Sequence, residues 1–204
     1  MAELVTTGNG EVERIADQAG LTLRYTNRGK DRTTAVDALT RRIAAVEPLL
    51  ERDGVTVRSR RLAVHDVWER RRRTGAEASQ AYVLLVTDVT VLNDVVGELV
   101  TTEPSELHGP NWELADPSDA RREAQREAVA DARTTALGYA DALGSRLGKL
   151  VRVDDSSPGY VPLRYSARAM AASPGGAPDI AELSLEPQPV TVSAMCSITW
   201  ELLV

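Results

Sequence analysis

The chain has 204 residues, 43% hydrophobic and 26% charged, which is enough apolar side chain for one full core or two small lobes and too much for a disordered polymer. A formal net charge of -6 disfavours non-specific nucleic-acid binding. A single cysteine, Cys196, excludes an intramolecular disulfide and any thiolate cluster for zinc or iron–sulfur. Aromatics are 4% with no Phe, so the core must be built from Val, Leu, Ile and Ala. The first twenty residues carry no basic segment followed by an apolar run. No stretch approaches the roughly 20 apolar residues that cross a bilayer, so the chain as given reads as cytoplasmic.

In chain order, Gly8 and Gly10 predict a turn, and Ile15, Ala19, Leu21, Leu23 and Tyr25 predict a strand over 11–27 with a break near Gly20. Ala35, Leu39, Ile43, Val46 and Leu50 predict a helix over 31–52, which Pro48 must kink or end early and Asp53-Gly54 must stop. Strands follow over 55–68 and 79–89, joined by the polar segment 69–78 as a hairpin with a charged tip. A helix over 91–100, with Thr90 as its cap, and a strand over 106–114 complete the order β-α-β-β-α-β. That order predicts a split βαβ, ferredoxin-like lobe with two helices on one face of an antiparallel sheet.

The next segment is the most informative. From 116 to 148, Ala120, Ala124, Ala128, Ala132, Ala136, Tyr139, Ala140, Leu143 and Leu147 recur at helical spacing, so one face of a long helix is apolar and small. Such a face lets another backbone approach closely. Asp116 stands at the N-cap position with Pro117 and Asp119 after it, and Gly144 and Gly148 offer C-terminal stops. A short strand over 149–154 leads to a Pro/Gly-rich segment, 156–178, read as a flexible loop. The chain ends in a strict alternation from Val190 to Leu202, a strand with one apolar face. The reading is therefore an α+β fold: a ferredoxin-like lobe over 11–115, then a long Ala-rich helix and a small β lobe over 116–204.

This arrangement resembles the SIMPL-domain family of bacterial proteins, which includes periplasmic immunogenic proteins. The resemblance spans nearly the whole chain. It rests on the opening Thr7-Gly8-Asn9-Gly10-Glu11-Val12, on Ala16-Asp17-Gln18-Ala19, and on the helix from Glu123-Ala124 to Ala140-Asp141-Ala142-Leu143-Gly144. Leu147-Gly148-Lys149-Leu150-Val151 and a closing strand introduced by Glu186-Pro187 extend it. The resemblance implies an α+β fold treated as one domain and, in some members, large ring-like homo-oligomers of the cell envelope. It implies no reaction, no cofactor and no catalytic residue. The chain departs from the family in lacking an export signal and in carrying Arg70, Arg71, Arg72 and Arg73 at its hairpin tip.

Candidate chemistry is sparse. His65 and His108 lack ligand partners at metal-binding spacing and read as structural. Cys196 falls on the apolar face of the last strand and reads as an inert core thiol. Asp154 and Asp155 faintly suggest a cation site or carboxylate pair, but no third ligand is spaced to help. Gly8-Asn9-Gly10 precedes a strand and is no phosphate loop. Arg70, Arg71, Arg72 and Arg73 form a compact cationic tip suited to an anion or to another subunit. Thr191 and Ser193, on the neutral outer face of the last strand, suit a subunit edge. The leading expectation is a non-enzymatic protein with no cofactor, metal or membrane span, acting by homo-oligomeric assembly. The alternative is a small-molecule or peptide-binding module that uses a cleft between the lobes beneath the 156–178 loop.

Overall fold

The computed structural model describes residues 2–155 and 185–203. Its elements in chain order are β1 (Ala2–Ile15), β2 (Gln18–Gly29), α1 (Arg32–Ile43), α2 (Glu47–Leu50), β3 (Val55–Glu69) and β4 (Arg72–Val86). A single 3-10 turn then leads into α3 (Leu92–Thr101), followed by β5 (Glu106–Glu113), α4 (Ser118–Ala142), β6 (Arg146–Asp155) and β7 (Pro189–Leu203). The fold is α+β, with two antiparallel sheets in two compact units.

One unit comprises 16–113 with the described residues 185–188. Its sheet runs β3-β4-β2-β5, every pair antiparallel. Leu21, Leu23 and Tyr25 of β2 and Tyr82, Leu84 and Val86 of β4 point one way and form the core with Leu39 of α1 and Leu99 of α3. Helix α1 starts where its sequence says it should, because the Asp31 carboxylate accepts the Thr34 N–H at 2.8 Å. It ends at Ile43, and Pro48 sits in the first turn of the separate α2, as a residue without an N–H must. The core tyrosines meet edge to face, their ring centres 6.2 Å apart.

The other unit holds 2–15, 114–155 and 189–203 among its described residues. Its sheet runs β1-β7-β6, and α4 packs on one face. Ala120, Ala124, Ala128, Ala132, Ala136 and Ala140 are all buried, as the sequence predicts. Steps of four residues advance about 40° each round a helix of 3.6 residues per turn. The stripe therefore winds about α4, as a helix lying on a twisted sheet requires. Tyr139 and Leu143 do not belong to it: they are 56% and 64% exposed. The stripe steps by four, and these i+3 positions fall off its other flank. Leu147 lies in β6 and packs partly buried against the same core.

Gly8 and Gly10 are not a turn but the middle of β1, where the helix touches the strand backbone to backbone. A Cβ at Gly8 would lie 1.9 Å from the Ala128 carbonyl oxygen, and one at Gly10 would lie 2.0 Å from that of Ala124. Small residues on both partners set this approach. Four hydrogen bonds fix it. Thr6 donates its hydroxyl to the Ala132 carbonyl at 2.9 Å and accepts the Trp200 indole N–H at 3.0 Å. The edge N–H groups of Asn9 and Glu11 donate to the Asp131 and Glu127 carboxylates of α4, at 2.9 and 3.2 Å.

The strand expected over 11–27 is two strands. Residues 2–15 pair with β7, whereas 18–29 pair with β4 and β5, so 11–15 lie in the second sheet and the chain changes sheets at Ala16-Asp17. Asp116 caps α4 from one residue further out, its carboxylate accepting the Ser118 N–H at 2.9 Å. Gly144 closes α4 with φ +64, its N–H donating to the Asp141 carbonyl. The expected loop 156–178, and the cleft reading that depends on it, lie outside the described residues.

Candidate functional site

The polar segment 69–78 is mostly strand, and the β3–β4 connection is a two-residue turn at Arg70 and Arg71. Both residues have positive φ, 47° and 68°. Tight hairpins require that handedness, and Asn-Gly satisfies it at little cost. Arginine at each position costs on the order of 1 kcal/mol in backbone conformation. The third strand of this region, β2, ends opposite Ala76. Gly75 still lies against Gly29, and residues 72–74 with their β3 partners run on without a third strand for about 10 Å at 3.3 Å per residue.

This finger carries an uneven charge. Arg73 is spoken for, its Nε lying 3.2 Å from Asp66, which also binds Arg32 at 3.1 Å. Arg70, Arg71 and Arg72 form no ion pair among the described residues. Trp68 beside them is 62% exposed.

Thr191 and Ser193 are placed differently from the expected subunit edge. β7 is the central strand of its sheet, and these residues pair with Glu13 and Glu11 of β1. Their side chains point away from α4, because Val192 and Ala194 between them are buried beneath it. On this face stand the odd-numbered residues of β1, among them Val5, Glu11, Glu13 and Ile15, all exposed. In this unit α4 is the one helix among the described residues, and it covers the opposite face.

The remaining candidates stay apart. His65 lies on β3 and His108 on β5, the two outer strands of one sheet, and each stands beside a single carboxylate, Glu77 at 3.6 Å and Glu106 at 3.8 Å. Asp154 is opposite Ser197 and Asp155 opposite Cys196, so the two carboxylates point to opposite faces and cannot share a proton or a cation. Asp154 is held by Arg152 at 2.6 Å. Among the described residues no three His, Cys, Asp or Glu side chains converge as metal ligands. Cys196 is buried, and burial pushes its thiol up, away from the reactive thiolate. It borders a cavity of about 160 Å³ between α4, β6 and β7, whose lining includes Gln125, Ala128, Val129, Val153, Asp155 and Met195. That is small beside ligand pockets, which span about 300–1,000 Å³.

One constellation was not visible in the sequence. Tyr82 donates its hydroxyl to Glu47 at 3.1 Å, Arg60 donates to the same carboxylate at 2.9 Å, and the Arg60 guanidinium lies 5.6 Å from the Tyr82 ring centre. Burial first, then the neighbouring Glu47 carboxylate, push the Tyr82 hydroxyl well above the usual phenol range. The group cannot act as a base near neutrality. It ties α2 to the sheet, and no short-range motif marks it because its members are spread over 47–82.

No helix among the described residues is long and apolar enough to cross a membrane. No curated protein matches the chain. The sequence pattern of one family, described as SIMPL, a protein of unknown function (DUF541), matches residues 4–200, a span that takes in β1 at one end and β7 at the other. With nearly its whole length matched, both sheets and the alanine helix included, the chain belongs to the SIMPL family.

Proposed function

We propose that this SIMPL protein is non-enzymatic and acts through homo-oligomeric assembly. The observation that carries the reading is the three-stranded sheet, which among the described residues has a helix, α4, on one face and none on the other. Its other face displays exposed Val5 and Ile15, and its outer strand β6 leaves Leu150, Val151 and Val153 exposed. Strand edges and apolar faces of this kind are ordinarily guarded or covered. The lack of convergent nucleophile, base and oxyanion donors among the described residues gives an enzymatic reading nothing to rest on. We further read the chain as one family domain of two lobes. The order β3-β4-β2-β5, in which β4 separates β2 from β3, supports a split βαβ, ferredoxin-like arrangement for the 16–113 lobe.

Sedimentation velocity across micromolar concentrations tests the assembly reading. A concentration-dependent or fixed multiple of the chain mass is expected. A monomer throughout sinks the proposal and promotes the small-molecule or peptide-binding alternative.

A further inference from the structure

The hairpin tip and the sheet face opposite α4 each present exposed charge that is unpaired among the described residues, of opposite sign. The tip presents three guanidinium groups that form no ion pair among the described residues, and an exposed indole, on a finger that runs past its own sheet. The sheet face presents Glu11 and Glu13, two residues apart on one side of β1 and hence about 7 Å from each other. Neither carboxylate forms an ion pair among the described residues. The residues opposite them, Ser193 and Thr191, have side chains too short to reach over them. The nearest cation in sequence, Arg14, is turned onto Glu123 of α4. Two residues further along, Ile15 is 62% exposed.

Resting on the assembly reading, we infer that the Trp68–Arg72 tip of one copy docks on the Glu11–Glu13–Ile15 face of a second copy. Guanidinium forks match carboxylates in shape as well as charge. The spacing of the two carboxylates suits two neighbouring arginines of a tight turn, and the indole gains an apolar partner in Ile15. The left-handed arginines then have a reason, since the turn that strains them also aims them off the end of the finger. The net charge of -6 opposes nucleic acid, anionic lipid and another copy alike at long range, so what favours a second copy is the local match of the basic tip to its exposed Glu11 and Glu13. A lone tryptophan also lacks the series of stacking platforms that single-stranded nucleic acid uses. The contact joins two different surfaces, so copies close as a ring or a reciprocal pair, or run on as a filament.

The test uses two charge reversals in the full chain, Arg70→Glu with Arg71→Glu and Arg72→Glu, and Glu11→Lys with Glu13→Lys. Their circular dichroism and thermal unfolding are first matched to wild type. All substituted side chains are exposed and outside both cores, so both variants should fold. At low salt each variant alone should associate at least about 100-fold more weakly than wild type, because like charges then face each other. Mixed in equal amounts, the two should recover assembly, since each supplies what the other lost. Wild-type assembly that neither reversal weakens overturns this contact and leaves the assembly reading standing. A monomeric wild type overturns both. Tip reversal that abolishes binding to anionic vesicles or single-stranded DNA without touching assembly assigns the tip to a polyanion instead.

Discussion

Gly8→Ala and Gly10→Ala measure how closely α4 lies on β1. The added methyl carbon would sit 1.9 Å from the Ala128 carbonyl oxygen in the first case and 2.0 Å from the Ala124 oxygen in the second, where ordinary contact begins near 3.4 Å. By subtraction the helix must retreat by about 1.5 and 1.4 Å, because the atoms in the way are backbone and cannot rotate aside. A gap of that size gives up much of the dispersion along the alanine stripe and stretches the Asn9–Asp131 and Glu11–Glu127 hydrogen bonds. Overpacking costs about 1–3 kcal/mol, and rigid neighbours place these variants at about 3 kcal/mol. One retreat accommodates both methyls, so the double variant should cost less than the sum. Urea unfolding followed by tryptophan fluorescence and circular dichroism reads the loss. Gly97→Ala and Gly138→Ala serve as controls. Nothing lies within 4 Å of either position, and both are helical, so alanine there should stabilise by about 0.5–1 kcal/mol. Gly8 and Gly10 variants within about 0.5 kcal/mol of wild type would show that the strand does not touch the helix.

Ala128→Leu or Ala132→Leu attacks the same junction from the helix side and should lose about 1–3 kcal/mol by denaturant unfolding; unchanged stability in both would refute the packing. Thr6→Val removes the acceptor of the buried Trp200 N–H and should cost about 1–3 kcal/mol, whereas Thr6→Ser should keep most of it; equal losses would deny the hydrogen bond its role. Burial, the largest cause at each, raises the Tyr25 and Tyr82 hydroxyls above their ordinary value. Neutral phenol in the folded state therefore contributes stability that is complete below the ordinary phenol pKa and is lost as pH rises through the folded value. In a titration followed at 295 nm these two should ionise only with alkaline unfolding, and Tyr82→Phe should raise the unfolding midpoint in pH; an unchanged midpoint counts against it. Cys196 should react with a thiol reagent at neutral pH only after denaturant is added, and fast labelling of the native chain would contradict its burial.

What was legible in the sequence was local. Six alanines at every fourth position announce a close helix contact, and Asp31, Pro48 and Gly144 mark helix ends because each acts on backbone groups within a turn of itself. What was hidden was decided by residues far away. Gly8 and Gly10 look like a turn because glycine serves turns, yet they answer to a helix more than a hundred residues later. The change of sheet at Ala16-Asp17 leaves no trace because the apolar residues on either side, Val12 and Ala19, read as ordinary strand residues whichever sheet takes them. Arg70-Arg71 does not look like a two-residue turn, since neither residue favours positive φ, so the charged stretch around it reads as a longer loop than it is.

The same division separates the two candidate surfaces. The arginine tip was visible as a run of charge, but which of its members lack an ion pair among the described residues depends on where Asp66 stands, and Asp66 takes Arg73 alone of the tip, together with Arg32 of α1. Thr191 and Ser193 were visible as the polar half of an alternation, but alternation fixes a face and says nothing of neighbours along the sheet. With β1 and β6 on either side, β7 can offer a partner only that face. The acidic residues beside Thr191 and Ser193 come from the opposite end of the sequence, and pairing in register brings them there. Charge of one sign at a hairpin tip and of the other on a sheet face, neither answered by an ion pair among the described residues, is an arrangement that a second copy of the chain can satisfy at both places.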